Sequence, residues 1–290
     1  MNRRQFLAAG STVAAAGLAG CTDLLGDDDA GELGDVSAWL PDPRQVDSDL
    51  DHYQFSASSP AALTDAIDDL FLESFARPEP QFGAVTSADV DTMIEVETDT
   101  GQAFDVYLGS FDDEWAETNL EGADYERVRS VDELTIYDRD DVEAVGISSD
   151  VAIETTDGSA DPDAAQLVEL VLDTESGEVT QYTEALSDME ALMDTLPSGH
   201  EVEGETFPRV EDNAPEAGLF EQQVGRGRSE TLDGRETDET EVLVFLDEGD
   251  IVERDIEQYI EESGEFADFL SRPDYEIDGR TVTISGRTPL

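Results

Sequence analysis

The stretch Met93-Ile94-Glu95-Val96-Glu97-Thr98-Asp99-Thr100-Gly101-Gln102-Ala103-Phe104-Asp105-Val106-Tyr107-Leu108 decides the fold class. Apolar and polar residues alternate from Met93 to Glu97 and again from Phe104 to Leu108, the period of two that a half-buried strand requires. Asp99-Thr100-Gly101 supplies turn residues between them, so the segment reads as an antiparallel hairpin. Two further hairpins read on Asp233-Gly234 and Asp278-Gly279, the last with Val282 and Ile284 facing the core. Long antiparallel elements on short turns favour an α+β fold of mostly antiparallel sheet with packed helices over a doubly wound parallel sheet.

Working outward, Tyr53-Gln54-Phe55-Ser56 reads as a short strand. Ser59-Pro60 opens a helix with Leu63, Ile67, Leu70 and Phe71 on one face, ahead of an irregular stretch carrying Pro78 and Pro80. Asp112 to Leu120 is a short helix, and Val128, Leu134–Tyr137 and Val142–Ile153 read as further strands. Asp161-Pro162 opens a helix with an apolar stripe of Leu167, Val168, Val171 and Leu172, which Gly177 ends. Another helix runs near Ala185–Leu196. Residues 208–217 read as a connection. In the tail, Asp250 and Glu253 have the spacing of a capping box, opening a helix that buries Ile251, Ile256, Tyr259 and Ile260. The order strand–helix–hairpin occurs after Phe104 and again after Val242. It suggests two related α+β modules, 36–207 and 208–290, either separate or packed as one domain.

Composition bounds the environment. The chain has 290 residues, with 73 Asp plus Glu against 15 basic residues, and all 15 are Arg. At 38% hydrophobic residues it has ample material for a core, so global disorder is excluded as an account of the charge. A surface this acidic repels itself in dilute buffer, whereas the Debye length shrinks to roughly 3 Å at 1 M salt. Concentrated brine is therefore the expected solvent. Nucleic acid is not an expected partner, because no basic patch exists to meet phosphate.

The chain begins Met-Asn-Arg-Arg-Gln-Phe-Leu, with Arg3 and Arg4 followed by an Ala/Gly-rich stretch from Phe6 to Gly20. That stretch is too short to span a bilayer of roughly 30 Å. Arg3, Arg4, Phe6 and Leu7 resemble the twin-arginine (Tat) motif, with Asn at the first motif position where Ser or Thr is commoner. Leu18-Ala19-Gly20-Cys21 resembles a lipobox: small residues give a peptidase access, and the Cys21 thiol accepts lipid. Cys21 is the only cysteine, so no disulfide forms within the chain. On these residues, together with the Gly109-Ser110-Phe111-Asp112 strand-to-helix step, the chain resembles uncharacterised haloarchaeal Tat-exported lipoproteins, a resemblance that carries no catalytic residues. The resemblance implies a signal peptide over 1–20, passage through the Tat translocase, and a membrane anchor through lipid on Cys21 on the extracellular side. It implies no cofactor, because Tat is the general export route in that group. The mature chain would carry 13 Arg against 73 acids, a net charge of −60. Residues 21–35 read as lipidated Cys plus an acidic flexible linker, whose 14 residues after Cys21 reach about 20 Å as a coil.

Catalytic signatures are missing, so no residue is assigned to catalysis or to a metal. Without lysine, and with its one cysteine acylated, the chain lacks Schiff-base, thiol and thiolate-metal chemistry. His52 and His200 read as structural. Gly146-Ile147-Ser148-Ser149-Asp150 departs from a nucleophile elbow, and Ser148 reads as part of a core strand. Gly225-Arg226-Gly227-Arg228 is no phosphate loop, and its arginines read as salt-bridge partners on an acidic surface. The runs Asp27-Asp28-Asp29, Asp47-x-Asp49-x-Asp51-His52, Glu95-x-Glu97-x-Asp99 and Asp173–Glu184 read as solvated surface, because a chain one quarter acidic matches any carboxylate spacing by accident. Trp39 and Trp115 read as core packing. The expectation is a lipid-anchored binding or interaction module for an envelope protein or small solute. The alternatives are a carboxylate-dependent hydrolase and a structural envelope component.

Overall fold

A computed structural model describes residue 33 and residues 35–66, 89–156 and 162–289. Among these, twelve strands and seven helices make an α+β fold. A 3-10 turn, Val36–Trp39, leads into α1 (Pro43–Val46), β1 (Gln54–Ser58) and α2 (Pro60–Ala66). β2 (Val90–Glu97) and β3 (Ala103–Gly109) form the expected hairpin, with Glu97 opposite Ala103. Then follow α3 (Asp113–Gly122), β4 (Glu126–Val131), β5 (Leu134–Arg139), β6 (Glu143–Ile147) and β7 (Val151–Thr156). Next come α4 (Ala164–Glu175), α5 (Tyr182–Ala185), α6 (Ser187–Thr195), β8 (Glu201–Thr206), β9 (Gln223–Asp233) and β10 (Glu236–Phe245). The chain ends with α7 (Glu253–Glu262), β11 (Asp274–Asp278) and β12 (Thr281–Pro289).

All twelve strands join one sheet in the order β11-β12-β10-β9-β8-β1-β2-β3-β7-β6-β5-β4, antiparallel at every step. β8 and β9 pair across residue 208, and one core contains Val202 together with Val224, Val242 and Val244. Residues 36–207 and 208–290 thus share a sheet and a core. The edge strands β4 and β11 carry charged residues (Glu126, Arg127 and Arg129; Asp274, Glu276 and Asp278), and β4 shifts register between Arg127 and Arg129; both devices discourage further strand pairing.

Alternation along the central strands sends Phe55, Ala57, Ile94, Val96, Phe104, Val106 and Ile153 to one face, where α4 and α6 pack. Glycines allow α6 its close approach. A β-carbon on Gly204 would lie 2.6 Å from the Phe55 ring, and one on Gly227 would lie 3.0 Å from Leu192 of α6. Hence Gly225-Arg226-Gly227-Arg228 is a strand, with glycine toward α6 and arginine toward the opposite face. That opposite face bears two smaller cores, one at each end. Ala116 and Leu120 of α3 cover Met93, Tyr107, Tyr137, Val145 and Ala152. Ile256, Tyr259 and Ile260 of α7 cover Leu243, Phe245, Val282 and Ile284.

Several local expectations are corrected. Asp163, not Asp161-Pro162, caps α4, with Gln166 completing the box. The Asp250–Glu253 capping box does not form. The Asp250 side chain accepts from the Asp247 backbone N–H (3.1 Å), closing a 3-10 turn, and α7 starts after Val252, which has no side-chain acceptor. Ile251 is extended and only partly buried. Ser148 lies in the β6–β7 turn, where its hydroxyl accepts the Val151 N–H at 3.1 Å. Leu33, inside the expected linker, is buried in the main core, so packing begins before Val36. Cys21, Arg3, Arg4, Phe6, Leu7, Leu18, Ala19 and Gly20 lie outside the described residues, as do Asp27–Asp29, Ile67, Leu70, Phe71, Pro78 and Pro80.

Candidate functional site: the polar sheet face between α3 and α7

The middle of the second face is built from one cross-strand row. Reading the registers from β10 to β7 gives Glu241, Arg228, Glu203, Ser56, Glu95, Asp105 and Glu154. Directly paired residues point to the same side of a sheet, so these side chains share one surface. Flanking rows add Glu201, Glu230 and Ser58 on one side and Glu205, Gln54 and Glu97 on the other. Among the described residues, Glu95, Glu97, Glu201, Glu203 and Glu205 have no ion-pair partner. Glu95 takes only the Ser56 hydroxyl at 3.3 Å.

The two arginines are already committed. Arg226 Nε lies 3.0 Å from Glu241 and its terminal nitrogen 3.3 Å from Glu265. Arg228 pairs with Glu230 at 2.7 Å and with Glu239 at 3.0 Å. This matches the expectation that the Gly-Arg-Gly-Arg arginines make salt bridges.

Where the polar face meets each helix-covered core, a tyrosine hydroxyl bridges two carboxylates. Tyr107 donates toward Asp105 (3.2 Å) and Glu154 (3.3 Å). Tyr259 donates toward Glu241 (3.0 and 3.2 Å) and Glu265. Burial raises Asp105 to about 7, assisted by the like charge of Glu95, while the Tyr107 hydrogen bond pulls the other way. Burial likewise raises Glu241 to about 7 against the lowering pull of Arg226. Both carboxyls therefore titrate near neutrality rather than in the usual carboxylate range. They are nonetheless five strand steps apart, about 24 Å along the sheet at ~4.8 Å per step. Paired glycosidase carboxyls lie within about 9.5 Å. Within each cluster, Glu154 and Glu241 are buried (1% and 4% exposed), out of reach of a substrate.

The sequence candidates distribute as follows. His200 is buried, its Nδ1 accepts the Leu232 N–H at 3.1 Å, and burial lowers its pKa, so it is a neutral turn-holder. His52 lies in the segment that leads into β1 and is partly buried. Trp39 is in the core, but Trp115 is 42% exposed on α3. Among the described residues no three His, Cys, Asp or Glu side chains converge as metal ligands. Sequence reading singled out Glu95 and Glu97 but missed Glu201, Glu203 and Glu205. The alternation Glu201-x-Glu203-x-Glu205 was the available signal, and only pairing with β1 gives it meaning.

No family model and no curated protein matches the chain. A crystal structure of a protein named TP0453 (crystal form III) is similar at a TM-score of 0.50 and 8% identity, covering 81% of this chain and 90% of that one. Crystal form I of the same protein aligns at a TM-score of 0.49 and 10% identity, covering 86% and 93%. The likeness to crystal form III is one of fold. No helix among the described residues is long and apolar enough to cross a membrane.

Proposed function

We propose that this chain is a lipid-anchored extracytoplasmic binding module, exported by Tat in a salt-loving archaeon and held to the membrane by lipid on Cys21. Its docking surface is the polar face between α3 and α7. The observation that carries the reading is the row of unpaired glutamates on β8 and β2, flanking Gln54, Ser56 and Ser58 of β1, on a rigid sheet backed by the main core. Such a face is complementary to an envelope protein presenting arginines. The carboxylate hydrolase reading loses ground, because the carboxyls poised near neutrality are buried or too far apart.

Replacing Cys21 by Ser should release the protein into the medium; unchanged retention in the membrane fraction refutes the anchor. A spin label at Ser56 should be immobilised in native envelopes and mobile in purified protein, and the double reversal Glu95→Arg, Glu203→Arg should free it. Equal mobility in both settings sinks the docking face.

A further inference from the structure

A concavity of about 260 Å³ opens where the Asn213–Gln222 loop, the end of β10 and the start of α7 meet, apart from the docking face. Its apolar wall includes the rings of Phe220 and Phe245, set edge to face at 5.8 Å. Three carboxylates line it, Glu221, Asp250 and Asp255, and no basic side chain does. Asp255 is the deepest, 6% exposed. Asn213 Nδ2 donates to it at 2.9 Å, while Asn213 Oδ1 accepts the Glu221 N–H at 3.4 Å, so that amide is oriented from both ends. The loop is drawn tight here: Gln222 holds φ at 67°, a left-handed conformation unusual for glutamine, and its N–H bonds Val210 O at 2.8 Å.

We propose that this concavity binds a small organic cation, an ammonium group carried on a short hydrocarbon body. Apolar ring atoms and carboxylates together suit a positive charge attached to a hydrocarbon body. A bare metal ion is disfavoured, because the carboxylates do not converge as ligands. An anion is disfavoured too: the partial positive charge at the start of α7 is already met by Glu253 and Asp255 in its first turn. Among the described residues, the cation paired with Asp255 is Arg254 (3.1 Å), whose side chain is 85% exposed. The guanidinium end of that pair stands in water while Asp255 is buried, so Arg254 is the partner a ligand charge has to displace.

The test is titration of the full-length protein in molar NaCl with n-butylammonium chloride, followed by ligand-observed NMR, with n-butanol and sodium butyrate as controls. Saturable butylammonium binding is expected, at least tenfold tighter than either control. Asp255→Asn should weaken it at least tenfold, and Arg254→Gln should tighten it by removing the internal competitor. Because Asp255→Asn also loosens the loop, Gly249→Leu serves as a second variant. Gly249 lines the same space, and a β-carbon there meets no atom within 4 Å, so the plug costs no clash at its base. It too should weaken binding at least tenfold. No binding of butylammonium, equal binding of butanol, preference for butyrate, or indifference to Gly249→Leu overturns the proposal.

Discussion

The two ends of the polar face solve one problem with different parts. At each end a helix covers a small core, and at its margin a tyrosine hydroxyl meets two carboxylates. Beneath α7, Arg226 lies within ion-pair distance of both Glu241 and Glu265. On the α3 side, the charges bearing on Asp105 are Glu95 and Glu97, both of its own sign. Asp105 and Glu241 nevertheless reach the same value of about 7, so desolvation governs both and the arginine only offsets part of it. Packing differs as well. α7 rests on a chain of edge-to-face rings running Phe245, Phe220, Tyr259, Phe266 and Phe269, with neighbouring centroids 5.2 to 5.8 Å apart. The core under α3 contains Tyr107, Tyr125 and Tyr137 among small aliphatic residues. The α7 end is better compensated in charge and richer in interlocking aromatics.

The largest effect that could break this contrast is removal of salt. Dialysis from molar KCl into dilute buffer should unfold the protein, because the Debye length grows roughly tenfold between 1 M and 0.01 M. Circular dichroism should report the loss, and hydrogen exchange at intermediate salt should open α3 before α7. An unaltered spectrum in dilute buffer would show the halophilic reading to be wrong; simultaneous opening would erase the difference between the ends. Next in size, Tyr259→Ala should cost about 3–5 kcal/mol in unfolding free energy, as for other large buried aromatics, and a cost under about 1 kcal/mol would mean the ring chain does not hold α7.

Smallest is the pH response. Asp105 and Glu241 keep their protons in the fold up to about 7, whereas their ordinary values are 3.8 and 4.5. The folded state therefore binds more protons between those limits. Stability from these two groups is full below the ordinary values and falls as pH rises through about 7. Melting midpoints in molar KCl should drop by about 2–4 °C per kcal/mol lost over that window. Asp105→Asn should flatten the response, whereas Arg226→Gln should steepen it by leaving Glu241 without the cation that lowers its pKa. A pH-independent midpoint in the parent protein would remove the basis for both.

Much of this architecture was legible residue by residue. The Met93–Leu108 hairpin, the Asp112-capped α3, the stripe of α4 and the Gly279 turn all rest on local periodicity or turn chemistry, which neighbours in sequence determine. The echo of strand–helix–hairpin was legible too, as an order of elements. It conceals a difference in pairing: β12 returns directly to β10, whereas β6 and β7 stand between β5 and β3. Local signals failed where competing partners were close together, as at Asp250, whose carboxylate closes its own 3-10 turn instead of capping α7.

The polar face was not legible. A strand's alternation says which residues share a side, but not which strand lies beside it, and a chain so rich in acids offers no contrast by composition. Seven side chains from seven strands form one row only because β1 and β8, whose paired residues are at least 143 apart along the chain, pair in a single register. Fold class, turns and helix faces thus follow from short-range chemistry in the sequence. The polar face, the tyrosine–carboxylate pairs and the cavity beside α7 exist only after long-range strand pairing has buried some carboxylates and left others in water.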